Sequence, residues 1–270
     1  MRASRTVIIN ADDVGLHPAV DEAVARLAEI GVVTSASVMT LGRPDAGTLR
    51  TCARYGVDLG LHLDFTSDMA NRRYRAARTI GSLILETWCG RLDAHRARDI
   101  VADQLQRFLA LTGAAPAFVD GHEHAHQLPV IRDALLAVLR EHGCGATFIR
   151  STRPRRWRGA KAALIGLLGA RRLEAQARHA GHRCNSDFCG VYNLREDARL
   201  EALWRTWLQT MPQRGALAVC HPATPGMDGG ADFRVREYRF LSSTAFDDLL
   251  RRHDTTTTNW AGAAGYGCLP

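Results

Sequence analysis

Residues 7–15 join a short apolar run to two adjacent carboxylates, and this combination favours a fold built on buried strands. Three β-branched apolar residues lead into Asn10, as at the end of a buried strand, and Asp12 and Asp13 follow before a glycine. Neighbouring side chains on a strand point to opposite faces, so the two aspartates can share a site only where the strand ends and turns. Parallel α/β folds place their chemistry at such ends. The simpler alternative is that one aspartate caps the next helix.

Short apolar runs alternate with segments of helical periodicity along the rest of the chain. This pattern is typical of βα units and predicts an α/β protein with a mainly parallel sheet. After the first strand, strands are expected at 35–39, 57–63, 117–120, 147–150, 187–191, 215–222 and 255–259. Helices are expected at 19–30, 45–55, 94–111, 128–142, 196–211 and 246–252. Since no repeat, linker or low-complexity break divides the chain, we expect one domain over residues 1–270.

The positive charge is concentrated in one segment. The formal net charge is +7, and residues 151–185 alone hold nine basic residues against one acidic residue, Glu174. No apolar run approaches the roughly 18 residues that a membrane span needs, and no signal peptide is visible. The seven cysteines are scattered without a C-x-x-C pair, which favours reduced thiols and a cytoplasmic protein.

Four apolar runs end in residues that bind metals or transfer protons. These endings are Asp12 with Asp13, His62, Asp120 with His122, and His221. In a closed parallel barrel such ends gather on one rim. One carboxylate and two imidazoles can hold a divalent ion that keeps positions open for water and substrate, and such an ion lowers the pKa of bound water to about 7. A spare carboxylate could then act as general base and a further histidine as general acid.

The stretches that carry these residues resemble the YdjC-like carbohydrate deacetylases, a family that includes chitooligosaccharide and hopanoid-biosynthesis deacetylases. The matching motifs are NADDVGL at 10–16, GLHL at 60–63, DGHEHAH at 120–126 and CHP at 220–222, with an R-x-x-E-x-x-x-L-x-S pattern at 234–243. The resemblance covers about residues 6–245. It implies a distorted (β/α) barrel of mainly parallel strands, with the active site at the C-terminal ends of the strands.

The resemblance also implies an activity and assigns roles. The protein would use one divalent metal ion to hydrolyse an acetyl group, an N-acetyl group foremost, from a sugar-containing substrate. Asp13, His62 and His122 would be the metal ligands, Asp12 the base that activates water, and His221 the general acid. The resemblance favours magnesium, and the ligand types also suit zinc or manganese.

Five further polar residues are candidates for substrate binding or for supporting the ligands: Asp120, His124, His126, Arg234 and Glu237. The histidines of residues 122–126 alternate, so on an extended strand they would face one side together. His124 and His126 are then compatible with ligation, with support of the ligands or with substrate contacts. Asp120 could hydrogen-bond a ligating imidazole or only cap its strand. Arg234 and Glu237 could form only a local ion pair.

Three features leave alternatives open. Cys220 beside His221 suggests a nucleophilic pair, but neighbours on a strand face opposite ways, which argues against it. Tyr192 and Trp260 could stack on a sugar ring or simply pack. Asp64 stands where relatives of the family often carry an apolar residue, so the identity of the substrate stays open.

Residues 153–172 place an apolar run between arginines and have no counterpart in the family pattern. The run is too short to cross a bilayer and suits an interfacial helix or a lid over an anionic or lipid-linked sugar. The alternative is an ordinary barrel helix with solvated arginines. A nucleic-acid-binding protein is disfavoured because no nucleic-acid motif accompanies the arginines. Metal-dependent hydrolysis of another amide or ester at the same site is the competing enzymatic function, and a homodimer is compatible with either.

Overall fold

The computed structural model describes residues 5–193, 199–227 and 232–264 and is built around one parallel sheet. Its strands are β1 (Arg5–Val14), β2 (Ser35–Val38), β3 (Asp58–Leu63), β4 (Phe118–Gly121), β5 (Phe148–Ile149), β6 (Asp187–Cys189), β7 (Ala216–Cys220) and β8 (Thr255–Thr257). Their order is β5-β4-β3-β2-β1-β7-β6, and β8 pairs with β1. A parallel bridge between Ile149 and Cys184 brings the two ends of this path together. The sheet therefore curls into a distorted barrel, as expected.

Helices connect the strands. They are α1 (Pro18–Glu29), α2 (Ala46–Arg54), α3 (Asp68–Tyr74), α4 (Ile80–Trp88), α5 (Ala94–Thr112), α6 (Ile131–Glu141), α7 (Ala160–Leu167), α8 (Ala170–His179), α9 (Leu200–Thr210), α10 (Asp232–Leu241), α11 (Thr244–Arg252) and α12 (Trp260–Ala264). Aspartates begin two of the predicted helices, because Asp45 accepts from Thr48 N and Asp93 from Arg96 N, each at 2.7 Å. The helix expected at 196–211 starts at Leu200 in the described part, since 194–198 lie outside it. No helix in the described ranges has the length and apolarity to cross a bilayer.

Alternation along the strands divides the core into two layers. Val7 and Ile9 of β1 pack with the helices in the larger apolar cluster. Ile8 and Phe118 belong to a smaller cluster on the other face, inside the curl of the sheet, with Trp260. The rings of Phe118 and Trp260 stack with centroids 5.0 Å apart. Trp260 is therefore a packing residue, one of the two roles left open by the sequence.

The inward face of the strands changes from apolar to polar toward their C-terminal ends. The residues that follow the apolar interior on this face are Asn10 and Asp12 on β1, Ser37 on β2, His62 on β3, Asp120 on β4, Arg150 after β5 and His221 after β7. All of these except the half-buried His221 are buried. Gathering the strand ends on one rim thus concentrates their polar side chains in one place.

Candidate active site

A bulge near the end of β1 brings both aspartates to one site. The register between β1 and β2 shifts between Ala11 and Val14, and Asp13 has a left-handed φ of 72°. A residue with a Cβ adopts this conformation only at a cost in free energy. The sequence predicts that the two aspartates share a site where the strand ends. In the structure, β1 continues through Asp13 to Val14. The bulge, rather than the strand end, breaks the alternation.

Asp13, His62 and His122, here named the histidine cluster, converge on one point of the rim. Oδ1 of Asp13 lies 3.3 Å from Nε2 of His62 and 3.0 Å from Nδ1 of His122. Each residue offers a ligand atom within 4.8 Å of the others. Ligand atoms about 2.0–2.2 Å from a zinc ion would stand about 3 Å apart, so the donor set fits a divalent metal. Asp13 and His62 are buried, whereas His122 is half-buried and leaves the cluster open on one side.

The histidine cluster is organised around negative charge on Asp13. Burial alone would raise the pKa of this carboxyl, but the combined influence of His122, His62 and Arg234 holds the pKa well below its usual range. Burial alone would lower the pKa of His122, and the neighbouring Asp13 more than reverses this, so that the pKa is raised. The cluster thus attracts positive charge, which a proton or a metal ion can supply.

Asp120 fixes the ring of His62. Its Oδ1 lies 2.6 Å from Nδ1 of His62, so the other ring nitrogen, Nε2, faces Asp13. A carboxylate behind an imidazole in this way is the usual support for a metal-ligating histidine. Asp120 also accepts a hydrogen bond from Ser37 Oγ at 2.6 Å. Of the two roles considered for Asp120, the structure shows the contact with the imidazole.

Arg150, which was not among the residues expected at the site, joins Asp12 and Asp120 in a second group, named the arginine cluster. Its guanidinium is fully buried and donates to both oxygens of Asp12, at 2.9 Å to Oδ2 and 2.7 Å to Oδ1, while pairing also with Asp120. Asn10 donates a further hydrogen bond to Asp12 Oδ1 at 2.7 Å. Asp12, Asp120 and His62 also offer ligand atoms close together, but here the protein supplies its own cation.

His221 lies beside Asp12, with its Nε2 3.8 Å from Asp12 Oδ2. Burial lowers the pKa of this imidazole to about 4, although Asp12 opposes the shift. The neighbouring Cys220 belongs to the helix-facing core, and burial raises the pKa of its thiol well above the usual value. A Cys–His nucleophilic pair is therefore not present at this position.

Residues His122–Gln127 form a 3-10 turn, so the extended strand considered for the three histidines is wrong. Glu123 and His124 have left-handed φ values of 51° and 61°. The chain folds back so closely that a Cβ at Gly121 would lie 3.0 Å from the backbone nitrogen of His126. Nε2 of His126 donates to the carbonyl oxygen of Arg150 at 2.9 Å.

The remaining histidine of the turn faces a different neighbour. The ring of His124 meets the edge of Phe188, with centroids 5.6 Å apart. Its Nδ1 is buried and has no hydrogen-bond partner among the described residues. Only His122, of the three alternating histidines, joins Asp13.

Arg234 and Glu237, one turn apart on α10, contact the site separately. Arg234 donates to Asp13 Oδ2 at 2.6 Å. Glu237 accepts from the hydroxyl of Tyr192 at 2.6 Å and from the backbone N–H of His221. Burial raises the pKa of the Glu237 carboxyl to about 7. The two residues therefore hold Asp13 and His221 in place, and Tyr192 takes part through its hydroxyl.

Asp64 has a local structural role at the end of β3. Its carboxylate accepts from the backbone N–H groups of Thr66 and Ser67 at 3.2 and 3.0 Å, and so shapes the turn that leads into α3. The side chain of Gln104 bonds to the backbone N–H and carbonyl of Asp64 at 2.9 and 2.8 Å. This departure from the family pattern therefore shapes the turn after β3.

Comparison with known proteins matches this chain to one family model and to several curated relatives. A family model described as YdjC-like protein matches residues 6–252. A chitooligosaccharide deacetylase from Klebsiella pneumoniae is 26% identical over 227 residues, covering 81% of this chain and 82% of that protein. A carbohydrate deacetylase from Xenopus laevis is 27% identical over 150 residues, covering 50% of this chain and 48% of that protein. The matched region thus spans about half the length of the Xenopus relative.

Solved structures share the fold at low sequence identity. A candidate cellobiose-phosphate cleavage protein from Enterococcus faecalis superposes with a TM-score of 0.70 at 17% identity, covering 96% of this chain and 98% of that one. A peptidoglycan N-acetylglucosamine deacetylase superposes with a TM-score of 0.54 at 9% identity, covering 96% and 87%. Likeness at these identities concerns the fold, and it agrees with the barrel of parallel strands described above.

Proposed function

This chain belongs to the YdjC-like family, and we propose that it is a metal-dependent hydrolase that removes an acetyl group, an N-acetyl group foremost, from a sugar-containing substrate. Relatives named as carbohydrate and chitooligosaccharide deacetylases support the substrate class. The observation that carries the proposal is the histidine cluster at the barrel rim, with Asp12 and His221 beside it. A metal site next to a carboxylate and an imidazole is what amide hydrolysis by activated water needs.

Asp13, His62 and His122 are the proposed ligands of a single divalent ion. When bound, such an ion polarises the acetyl carbonyl and lowers the pKa of water. Two imidazoles suit zinc, and the carboxylate also admits magnesium or manganese. The arginine cluster is not proposed as a metal site because Arg150 already contacts both Asp12 and Asp120.

Asp12 is the proposed general base. Arg150 and Asn10 together fix its carboxylate, and Oδ2, which Asn10 does not contact, lies toward His221. This oxygen would accept the proton as the water oxygen attacks the acetyl carbon. The paired oxygens cannot rotate without breaking the bonds to Arg150, so the base is held in one orientation.

His221 is the proposed source of the proton for the leaving nitrogen. As the bond between acetyl carbon and nitrogen breaks, an amine leaves only if its nitrogen gains a proton. The 3.8 Å between Asp12 Oδ2 and His221 Nε2 exceeds hydrogen-bond distance, so one bridging water would carry the proton from Asp12 to His221 before it reaches that nitrogen. The products are acetate and the protonated amino sugar, so one water is consumed and the protons balance.

Arg234 is proposed to contact the substrate. One terminal nitrogen, Nη2, holds Asp13, while the other, Nη1, is buried and has no hydrogen-bond partner among the described residues. A guanidinium nitrogen left without an acceptor beside the site is suited to bind a sugar hydroxyl or the acetyl oxygen. Arg234 would then have two roles, because it would hold the metal ligand Asp13 and also orient the substrate.

Acetate release tests the proposal directly. The purified chain would be stripped with a chelator, supplied with Zn²⁺, Mg²⁺ or Mn²⁺ in turn, and given acetylated chitooligosaccharides, O-acetylated sugars and p-nitrophenyl acetate. We expect acetate from N-acetylated sugars only after metal is restored. Release that persists without metal would overturn the assignment of the ion. Metal-dependent hydrolysis of non-sugar esters or amides, with no release from any acetylated sugar, would replace the sugar deacetylase with the competing hydrolase.

A further inference from the structure

The segment that follows β5 exposes large apolar side chains to solvent. Trp157 is 78% exposed, Leu164 61% and Leu167 75%. Of the α7 residues only Ala162 is buried. The alternative for this segment was an ordinary barrel helix. Packing of such a helix on the barrel does not explain why these three side chains are exposed. They are named here the apolar patch.

Leu164 and Leu167 lie about one turn apart on α7, so they share a side of this helix. Trp157 precedes the helix in the loop from β5. Large apolar side chains exposed close together in one segment are typical of a surface that binds a partner. The apolar patch is therefore a candidate binding surface.

Unpaired arginines flank the apolar patch. Arg156 stands beside Trp157, and Arg171 and Arg172 open α8. All three are exposed and have no ion-pair or hydrogen-bond partner among the described residues. Other arginines of the segment are neutralised within the protein, since Arg153 pairs with Glu174 and Arg158 with Asp187. Along the chain, the positive charge that remains unpaired thus lies before and after the exposed apolar side chains.

The helix α7, which bears Leu164 and Leu167, is bonded to the rim of the candidate active site. Gln127, which ends the turn that carries His122, donates from Nε2 to the carbonyl oxygen of Ile165 at 2.8 Å and accepts from Thr152 Oγ1 at 2.5 Å. Gly169 approaches Gln127 so closely that a Cβ there would lie 2.3 Å from the Gln127 carbonyl oxygen. The helix that bears the patch is therefore fixed relative to the turn of the metal-binding residues.

We propose that the apolar patch, with Arg156, Arg171 and Arg172, docks on the surface of an anionic lipid bilayer. Apolar side chains that enter the headgroup region, next to basic residues that meet anionic lipid, are the composition of an interfacial helix, and tryptophan is enriched at that depth. Nucleic acid would use the arginines but would leave Leu164 and Leu167 in water. Docking in this orientation brings the rim of the active site to the membrane surface.

The electrostatic half of the proposal is tested by sedimenting the full chain with vesicles. We expect binding to vesicles of phosphatidylcholine with phosphatidylglycerol, none to phosphatidylcholine alone, and loss of binding as salt is raised. Each basic residue near an anionic surface contributes about fivefold to partitioning, so changing Arg156, Arg171 and Arg172 to Ser together should weaken binding roughly 10²-fold. The matched control changes Arg54, Arg140 and Arg252 to Ser; these lie in the last turns of helices at the opposite end of the barrel and should leave binding unchanged.

The apolar half needs its own variants. Leu164→Ser with Leu167→Ser should weaken binding by at least about tenfold, whereas Ile30→Ser with Tyr55→Ser, which removes exposed apolar residues at the opposite end of the barrel, should not. The fluorescence of Trp157 should shift to shorter wavelength on binding, and Trp157→Phe should abolish that shift. Circular dichroism checks that each variant folds.

Three results would overturn the proposal. Binding to neutral and anionic vesicles alike would remove the role of the arginines. Binding to anionic vesicles that is unaffected by the change at Leu164 and Leu167 would remove the role of the patch. Binding to random-sequence DNA without binding to vesicles would identify the partner as nucleic acid. Because no substrate is present in these measurements, they are independent of the proposed deacetylase activity.

Discussion

The two clusters at the barrel rim contain similar acidic groups but are stabilised in different ways. In the arginine cluster, one buried guanidinium contacts both Asp12 and Asp120. In the histidine cluster, Arg234 reaches only Oδ2 of Asp13, and Oδ1 faces two imidazoles. In the first cluster, the guanidinium lies where an added ion would have to bind. In the second, Oδ1 of Asp13 and the two imidazoles present donor atoms that a proton or a metal ion can occupy.

This difference indicates what each cluster is for. A buried ion pair contributes little net stability, because removing both charges from water costs about as much as their attraction returns. The value of Arg150 is therefore to hold Asp12 and Asp120 in fixed orientations. Asp12 then faces His221, and Asp120 turns His62 toward Asp13. The arginine cluster positions the residues around the ion that the histidine cluster is proposed to bind.

The largest expected effect separates the two neighbouring aspartates. Asp13→Asn should abolish acetate release because it removes a metal ligand, and a large excess of metal should restore part of the rate. Asp12→Asn should lower the rate by about 10²–10⁴, the usual contribution of a general base, and excess metal should not restore it. Rates measured across a metal titration check both. Recovery of Asp12→Asn by metal would exchange the two roles.

The second effect concerns the proton given to the leaving group. His221→Ala should reduce cleavage of an N-acetylated sugar by at least about 10² while leaving p-nitrophenyl acetate much less affected. The reason is that an amine needs a proton in order to leave, whereas p-nitrophenolate does not. The ratio of the two rates in wild type and variant is the measurement. An equal loss on both substrates would make His221 a structural residue.

The third effect is on stability. Arg150→Met leaves Asp12 and Asp120 buried without their cation, and breaking a buried pair in this way costs about 3–5 kcal/mol. Arg98→Met, which removes one partner of the exposed ion pair between Arg98 and Glu141, should cost less than about 1 kcal/mol. Urea unfolding of both variants checks the difference. If the two variants lose the same amount, Arg150 is not the organising cation of its cluster.

The smallest effect is a pH dependence at Glu237. Its pKa is raised from 4.5 to about 7, so the folded protein holds this proton more tightly than the unfolded chain does. The stability gained from the protonated carboxyl is complete below about pH 4.5 and is lost as the pH rises through about 7. Glu237→Gln should therefore gain stability relative to wild type between pH 5 and pH 8, by up to about 3 kcal/mol. If the difference in unfolding free energy between the variant and wild type is the same at pH 5 and pH 8, this prediction is wrong.

Much of the site could be predicted from residues at strand ends. Asp12, His62, Asp120 and His221 each follow an apolar run, and the C-terminal ends of parallel strands meet by geometry once the sheet curls. Arg150 ends a predicted strand in the same way. Sequence reasoning missed Arg150 because arginine is neither a metal ligand nor a proton-transferring residue, although buried carboxylates require a cation as well.

Backbone conformation could not be read in this way. The left-handed φ of Asp13 and the 3-10 turn of His122–Gln127 accompany contacts between distant parts of the chain, such as those of His122 with Asp13 and of His126 with the Arg150 carbonyl. Alternating histidines predict a shared face only if the strand continues, and here the chain turns at once into α6. The helices α3 and α4 were also missed, because each is short and half-exposed.

Metal binding to the stripped protein tests the central claim most directly. Calorimetric titration with Zn²⁺ should show one ion per chain, with affinity lowered about 10²-fold or more in Asp13→Asn and in His122→Ala. Asp12→Asn should keep the wild-type affinity within a few-fold, because Arg150 and not a metal neutralises that carboxylate. A second ion that disappears in Asp12→Asn, or equal loss of affinity in Asp12→Asn and Asp13→Asn, would contradict the division of the rim into a metal site and a cluster with its own cation.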